Sequence, residues 1–264
     1  ENLIVKNKGD ICIVTFYRPG DRNSLDYQTM DEVESIVAEM EKSAARAIIF
    51  TGGGDSYFIG GADGTLMMQC SSREVGEFSA RFQNFLNKLE DSSLITMAAI
   101  NGLCFGGGYE FALACDLRIA STKARIGLPE VKVGLIPGGG GTQRLPRLVG
   151  IGKAMEMILT GRLYKGEEAM QQGLVHQVAA PEALLAAAET YLQDRIFCNP
   201  QYALILAKRA VYAAGKGSFS AGLKAENNEF KKCLKQDYFV KLMCKQLKEG
   251  ILKTTRKLPD WVYK

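Results

Sequence analysis

Two glutamates and two glycine turns are the residues of this chain whose types and spacing suit chemistry. The stretch "NGLCFGGGYEFALACDLRIAS" places Gly106, Gly107 and Gly108 just before Glu110, and a run of small apolar residues that reads as a buried helix follows. The first N–H groups of a helix have no internal partner, and the helix dipole favours negative charge there. Glycine lets a ligand come close to the backbone. A carbonyl oxygen that becomes anionic during reaction would be stabilised at such a place. The same glycines would equally let a helix pack tightly on a strand, and the triplet alone does not separate the two uses. A second turn, "FIGGADG", offers further main-chain N–H groups after a buried strand. Two such donors aimed at one oxygen make an oxyanion hole, although spacing cannot show that they converge.

The second acid, Glu130, lies in "GLPEVKVGLIPGGGG". Both acids sit among apolar residues, where an unpaired charge is costly. Burial raises a carboxyl pKa, and a helix N-terminus lowers it for Glu110. Two acids pushed in opposite directions are the ingredients of an acid/base pair. Each glutamate taken alone would also serve as an ordinary first-turn or loop residue.

The elements that must position these groups follow from the apolar pattern. "DICIVTFYRP" reads as a strand, "RNSLDYQTMDEVESIVAEMEK" as a helix, and "RAIIFTGGG" as a short buried strand. "YFIGGADGTLMMQ" starts extended and turns at its glycines. "SREVGEFSARFQNFLNKLED" is a second amphipathic helix and "LITMAAING" the next buried strand. "LRIAS", "ARIGL" and "LVHQVA" read as short strands, and "AMEMILTGR" and "KGEEAMQQGL" as helices. From about Pro181 onward the pattern is helical. A strand–strand–helix theme thus repeats through the first two-thirds, giving an α/β core over residues 1–195 and a helical region over 196–264.

With 264 residues the chain is long enough for one large domain with an appendage. Its net charge of +4 is concentrated in a lysine-rich C-terminal stretch, read first as a solvated helix face rather than a nucleic-acid surface. Seven cysteines, several inside apolar runs, suit reduced buried thiols and a cytoplasmic setting; an organelle matrix stays open if a targeting peptide has been removed. A single histidine argues against a histidine metal site. No apolar run reaches membrane-spanning length. The glycine turns fit neither a Walker A loop nor a dinucleotide fingerprint.

"NGLCFGGGYEFALACDLRIAS" followed by "GLPEVKVGLIPGGGGTQRLPRLVG" closely resembles the signature of the enoyl-CoA hydratase/isomerase (crotonase) superfamily. "FIGGADG" resembles its other signature turn, and "RPGDRNSLD" its early CoA-side loop. The similarity covers roughly residues 3–220. It implies a spiral of strand–strand–helix turns with a C-terminal helical region, trimers that pair into hexamers, an acyl-CoA thioester as ligand, and no cofactor beyond the CoA of the substrate. Within that pattern Ala62 and Gly107 match the two N–H donors for the thioester oxygen. Glu110 and Glu130 match the pair that holds and activates water, with Glu110 as base and Glu130 as proton donor. Gly138 matches a glycine whose N–H contacts that water. Asn23, Ser24, Leu25, Gly60, Gly61, Asp63, Tyr109, Leu128 and Pro129 fall at substrate-side positions. Retention of both glutamates matches the hydratase form and argues against isomerases, decarboxylases, hydrolases and dehalogenases of the same scaffold, with enoyl-CoA isomerase activity kept as the alternative.

Four positions depart from the pattern. Gly64-Thr65 stand where an aliphatic residue and a lysine are common, Leu128 where glutamine is frequent, and Tyr109 where a small residue is usual. They raise the alternative of a reshaped acyl pocket for a cyclic, branched or carrier-bound enoyl thioester. A nucleic-acid-binding module and a catalytically silent assembly subunit are the readings from other classes. The lone His176 is expected to be structural.

Overall fold

Continuous apolar runs such as "AIIFTG" and "ITMAAI" can sit only where a sheet is covered on both faces, and the computed structural model places them there. It describes residues 2–252. The strands in chain order are β1 (Leu3–Lys8), β2 (Ile11–Phe16), β3 (Ala47–Gly52), β4 (Tyr57–Ile59), β5 (Ile95–Ile100), β6 (Leu103–Phe105), β7 (Leu117–Ser121), β8 (Arg125–Gly127), β9 (Tyr164–Lys165) and β10 (Gln177–Ala179). They form two sheets. The larger runs β1-β2-β3-β5-β7-β10 and the smaller β4-β6-β8-β9. Only β1 against β2 and β8 against β9 are antiparallel.

Three successive strand pairs, β3/β4, β5/β6 and β7/β8, each give the first strand to the larger sheet and the second to the smaller one. The corner between them is tied by Asn101. Its amide Oδ1 accepts from Gly52 N–H at 3.0 Å, and its Nδ2 donates to the carbonyls of Gly52 and Gly54 at 3.0 and 2.8 Å. Every residue of β3 and β5 is buried. The outer strand β1 buries only Leu3 and shows lysines at Lys6 and Lys8, a charged edge that resists pairing with another sheet.

Helix Tyr27–Met40 starts at Asp26, whose carboxylate accepts from Thr29 N–H at 2.8 Å. Helix Ser72–Asp91 starts with a reciprocal cap between Ser71 and Glu74. It buries Phe78, Phe82, Phe85, Leu86 and Leu89. Phe111 fills the centre of the core, edge-on to Phe16 and Phe50 at ring-centroid distances of 5.3 and 5.0 Å. Edge-to-face pairs of this kind add about 0.5–1.5 kcal/mol each beyond area burial.

The helix Gly107–Ala114 is buried along its whole length. Such a helix needs its last carbonyls satisfied. Arg118, itself buried, reaches Ala112 O at 3.1 Å and Cys115 O at 2.7 Å through Nη1. The Nδ1 of His176 accepts from Arg118 N–H at 3.1 Å, so this histidine packs structurally on β7.

Five strands and helices escape the sequence pattern: β1, β6, β9, and the helices Gly64–Gln69 and Gly141–Val149. Two of these have plain causes. β9 has two residues, too few for a period. The helix Gly141–Val149 opens on glycines and contains Pro146, both breaker signals by composition.

The chain divides into two compact units, Glu1–Asn199 and Pro200–Lys264. In the second, helix Gln201–Ala213 packs on helix Phe219–Cys233, and helix Tyr238–Lys248 follows. The lysines from residue 253 onward lie outside the described residues, as does the side chain of Thr65. No described helix is long and apolar enough to cross a membrane.

Candidate active site

Gly106 caps the buried helix with φ +55° and ψ −130°, a backbone state that favours glycine. Its carbonyl takes the N–H groups of Tyr109 and Glu110 at 2.9 and 3.0 Å. The next two glycines then divide the two uses that the sequence leaves open. A β-carbon on Gly108 would lie 2.1 Å from the carbonyl oxygen of Ile59, so Gly108 lets the helix ride directly on β4. A β-carbon on Gly107 would lie 2.9 Å from the nitrogen of Ala62.

Those two main-chain nitrogens are the candidate oxyanion donors. Around Ala62 the amides of Gly60 and Asp63 are committed and the carbonyl of Gly61 is taken. Gly60 N–H donates to Arg22 O at 2.9 Å, Asp63 N–H to Leu25 O at 3.0 Å, and Leu25 N–H to Gly61 O at 2.9 Å. The N–H groups of Ala62 and Gly107 donate to no acceptor among the described residues. Gly107 N is also 3.9 Å from the β-carbon position of Gly61, so the two turns meet.

The loop that fixes the Ala62 turn is built by Asn23, Ser24 and Leu25, all buried. Asn23 has φ +55°. Its Oδ1 accepts from Arg18 N–H at 2.9 Å, and its Nδ2 donates to Tyr57 O at 3.0 Å. Leu25 pairs with Ala62 as a one-residue parallel bridge. Arg18, which the sequence reading missed, clamps the arrangement. Its guanidinium donates to Ser24 O at 2.6 Å and lies 3.2 Å from Asp26 and 3.5 Å from Asp63. Asn23 and Leu25, expected at the CoA side, thus hold the turn from within.

Glu110 comes from the first turn of the buried helix and is 2% exposed. Its Oε1 accepts from Gly139 N–H and Gly141 N–H, each at 2.7 Å. Burial raises its pKa; the amides of Gly141 and Gly139 and the charge of Arg144 pull the other way. Glu130 begins the short 3-10 helix Glu130–Val133. Both of its carboxyl oxygens are buried with no hydrogen-bond partner among the described residues. Oε1 lies 3.6 Å from the β-carbon position of Gly106. Burial pushes Glu130 up to about 7, against a pull from its own main-chain amide and with a smaller push from the charge on Glu110. The sequence suggests opposite shifts for the two acids. Both move upward, and the difference lies in support: Glu110 has two amide donors and a nearby cation, whereas Glu130 has only its own main-chain amide, outside hydrogen-bond geometry.

The glycine loop itself is held by residues that sequence reading missed. Gly138 O accepts from Ser79 Oγ and from Gln83 Nε2, each at 2.7 Å. Gly138 N–H donates to no acceptor among the described residues. Arg144 Nη1 donates to Gly139 O at 2.8 Å. Phe82 wedges between the turns, with Cε1 3.3 Å from the β-carbon position of Gly107 and 2.4 Å from that of Gly139. Only an interest in what contacts the glycines could have singled these out, because nothing in their spacing does so.

Of the remaining expected positions, Leu128 is buried with Cδ1 2.9 Å from the β-carbon position of Gly141. Pro129 precedes the Glu130 turn. Tyr109 points into the core; it is 1% exposed and its hydroxyl has no hydrogen-bond partner among the described residues. Gly60 and Gly61 form the turn itself, where a β-carbon on Gly60 would lie 2.9 Å from Arg22 O. No group of three or more His, Cys, Asp or Glu side chains among the described residues is placed to hold a metal ion.

Two open amides beside a supported and an unsupported carboxyl can bind a polarised carbonyl and move protons on either side of it. Residues 6–258 match the model of the enoyl-CoA hydratase/isomerase family. The chain is 37% identical over 233 residues to a short-chain-enoyl-CoA hydratase of Clostridium acetobutylicum, covering 88% of this chain and 89% of that protein. It is 36% identical over 234 residues to a crotonyl-CoA hydratase of Syntrophomonas wolfei, covering 88% and 90%. The crystal structure of an enoyl-CoA hydratase from Bacillus anthracis superposes with a TM-score of 0.86 at 32% identity, covering 95% of this chain and 97% of that one. The chain belongs to the enoyl-CoA hydratase/isomerase family and has its fold.

Proposed function

We propose that the protein is an enoyl-CoA hydratase that adds water reversibly across the 2,3 double bond of a 2-enoyl thioester. The observation that carries the reading is the unequal support of two neighbouring acids beside the open amides of Ala62 and Gly107. The thioester oxygen docks on those two N–H groups. Glu110 takes a proton from water as the water oxygen bonds to C3. The π electrons move toward the thioester oxygen, where the amides stabilise the enolate-like charge. Glu130 then delivers its proton to C2. One water is consumed, Glu110 ends protonated, Glu130 ends ionised, and proton exchange with solvent resets the pair. Losing one oxyanion donor costs about 10²–10³-fold in rate, and each acid/base function contributes about 10²–10⁴-fold. Gly138 N–H is the third group offered to the water.

The CoA thioester is the substrate class, and its carrier enters only as part of that substrate. Identity to hydratases named for short-chain and crotonyl substrates supports a short linear acyl group over the branched or cyclic alternative. The buried Leu128, against the glycine loop at Gly141, is in keeping with a close-fitting site. Self-association is part of the proposal. On helix Ile151–Thr160 the residues Ile151, Met155 and Leu159 form an exposed apolar stripe at helical spacing, as subunit faces in trimers and hexamers require. Free thiols at Cys12, Cys104 and Cys115, all buried, suit a cytoplasmic or organelle-matrix setting.

The test is product analysis with crotonyl-CoA and with a 3-enoyl-CoA. Hydration gives a 3-hydroxyacyl-CoA, with loss of the conjugated thioester absorbance. An isomerase instead creates that absorbance from the 3-enoyl substrate without adding water. Conversion of the 3-enoyl substrate alone would overturn the hydratase reading.

A further inference from the structure

The long helix Ser72–Asp91 presents two different faces. Its apolar face is buried in the core. Beside it runs a polar stripe, Ser79, Gln83, Asn87 and Glu90, at spacings of four, four and three residues, which places them along one side of the helix. Every member of this stripe acts on the same short segment. Ser79 and Gln83 both donate to the carbonyl of Gly138. Glu90 and Asn87 both hold Arg144, at 2.5 Å from Nε and 2.8 Å from Nη2, and Arg144 in turn donates to the carbonyl of Gly139.

The carbonyl of Gly138 and the N–H of Gly139 belong to one peptide unit. Two donors therefore bind the oxygen of the peptide whose N–H binds Glu110 Oε1. Hydrogen bonds in such a chain polarise one another, so donors on the oxygen strengthen the N–H as a donor. The following peptide is pinned at its oxygen by Arg144, and Gly141 N–H one residue further on supplies the second bond to Glu110. Glycine without this framework would sample many backbone states. The loop 138–141 contains nothing else, so its two amides are aimed from outside.

We propose that Ser79, Gln83 and Arg144 are positioning residues that lock the glycine loop with two N–H groups on Glu110, so that this acid rather than Glu130 takes the proton from water. The assignment deepens the hydratase reading and rests on it for the identity of the base. The charged and titratable groups facing Glu110 are Arg144 from helix Gly141–Val149 and Glu130 from the opposite turn; Glu90 is engaged with Arg144. Removing the donors on the loop weakens the two amide bonds and, for Arg144, also removes the cation. Both changes favour the protonated form of Glu110. A base that must be ionised then fails at higher pH than in the wild type.

The experiment compares wild type, Ser79→Ala/Gln83→Leu, Arg144→Gln and Ser79→Thr. The first readout is the titration midpoint of Glu110, followed by infrared difference spectroscopy and identified by the band missing in Glu110→Gln. The second is the pH profile of kcat/KM with crotonyl-CoA. The double variant and Arg144→Gln are expected to raise the midpoint, and the acid limb with it, by about one pH unit, a tenfold deficit on that limb. Ser79→Thr keeps the hydroxyl donor and is expected to keep the limb. An unmoved Glu110 midpoint in folded double variant and folded Arg144→Gln would overturn the assignment. The spectroscopic midpoint needs no turnover. A wild type without hydratase activity but with the shifted midpoints would thus refute the function and leave the framework standing. If Arg144→Gln does not fold, the double variant decides.

Discussion

The nitrogen of Ala62 lies 2.9 Å from the point that a β-carbon on Gly107 would occupy. A methyl there would press on one candidate donor and push the other aside. Gly107→Ala is therefore expected to lower kcat for crotonyl-CoA hydration by about 10²–10³-fold with a small change in KM, the loss of one oxyanion donor. Steady-state kinetics and circular dichroism check it together. Gly108→Ala should behave differently. Its methyl would meet the Ile59 carbonyl at 2.1 Å, so the expected outcome is a fall in Tm and in soluble yield, because the helix can no longer seat on β4.

The unsupported acid gives a pH prediction. Glu130 is pushed up to about 7, first by burial, and the proposed mechanism needs it protonated. kcat/KM for hydration should fall as pH rises through about 7. The Glu130→Gln variant keeps a neutral group there, so its much smaller residual activity should show no basic limb near that pH.

The same residue sets a stability trade. With a folded-state pKa above its unfolded value, the native state holds a proton that the unfolded chain releases. Stability is therefore lost as pH rises from the ordinary glutamate range through about 7, and levels off above. Glu130→Gln removes the buried carboxylate. It is expected to stabilise the fold by about 1–3 kcal/mol at pH 8, and to change stability little at pH 5. Urea denaturation at the two pH values measures it.

Arg18 carries a separate prediction. Its guanidinium neutralises Asp26 and Asp63 and holds Ser24 O, with its side chain 12% exposed. Arg18→Met removes this buried cation, and its bond to Ser24 O, from beside the Ala62 turn. A loss of about 3 kcal/mol in stability and a fall in kcat, read by thermal melts and kinetics, is the expected outcome.

Much of this architecture is legible in the chain. The buried strands announce themselves because parallel strands covered on both faces must be apolar throughout, as in "AIIFTG" and "ITMAAI". The glutamates stand out because a carboxylate among small apolar residues has a cost that demands a reason. What stays hidden is long-range. Ser79 and Gln83 look like ordinary polar positions on an amphipathic helix, and only the approach of a loop some 59 residues later gives them a task. Arg144 reads as a surface arginine until Glu90 and the Gly139 carbonyl converge on it. Periodicity describes which face of an element is wet. It carries no information about which distant backbone carbonyl arrives there. The upward direction of both pKa shifts is hidden for the same reason, since it depends on how deep the helix N-terminus lies.

The most direct test of the central claim is single-turnover hydration of crotonyl-CoA by Glu110→Gln and by Glu130→Gln, each shown to be folded and to bind a saturated acyl-CoA. Each substitution alone is expected to slow the chemical step by about 10²–10⁴-fold while acyl-CoA binding persists. Wild-type turnover in either variant would contradict the claim.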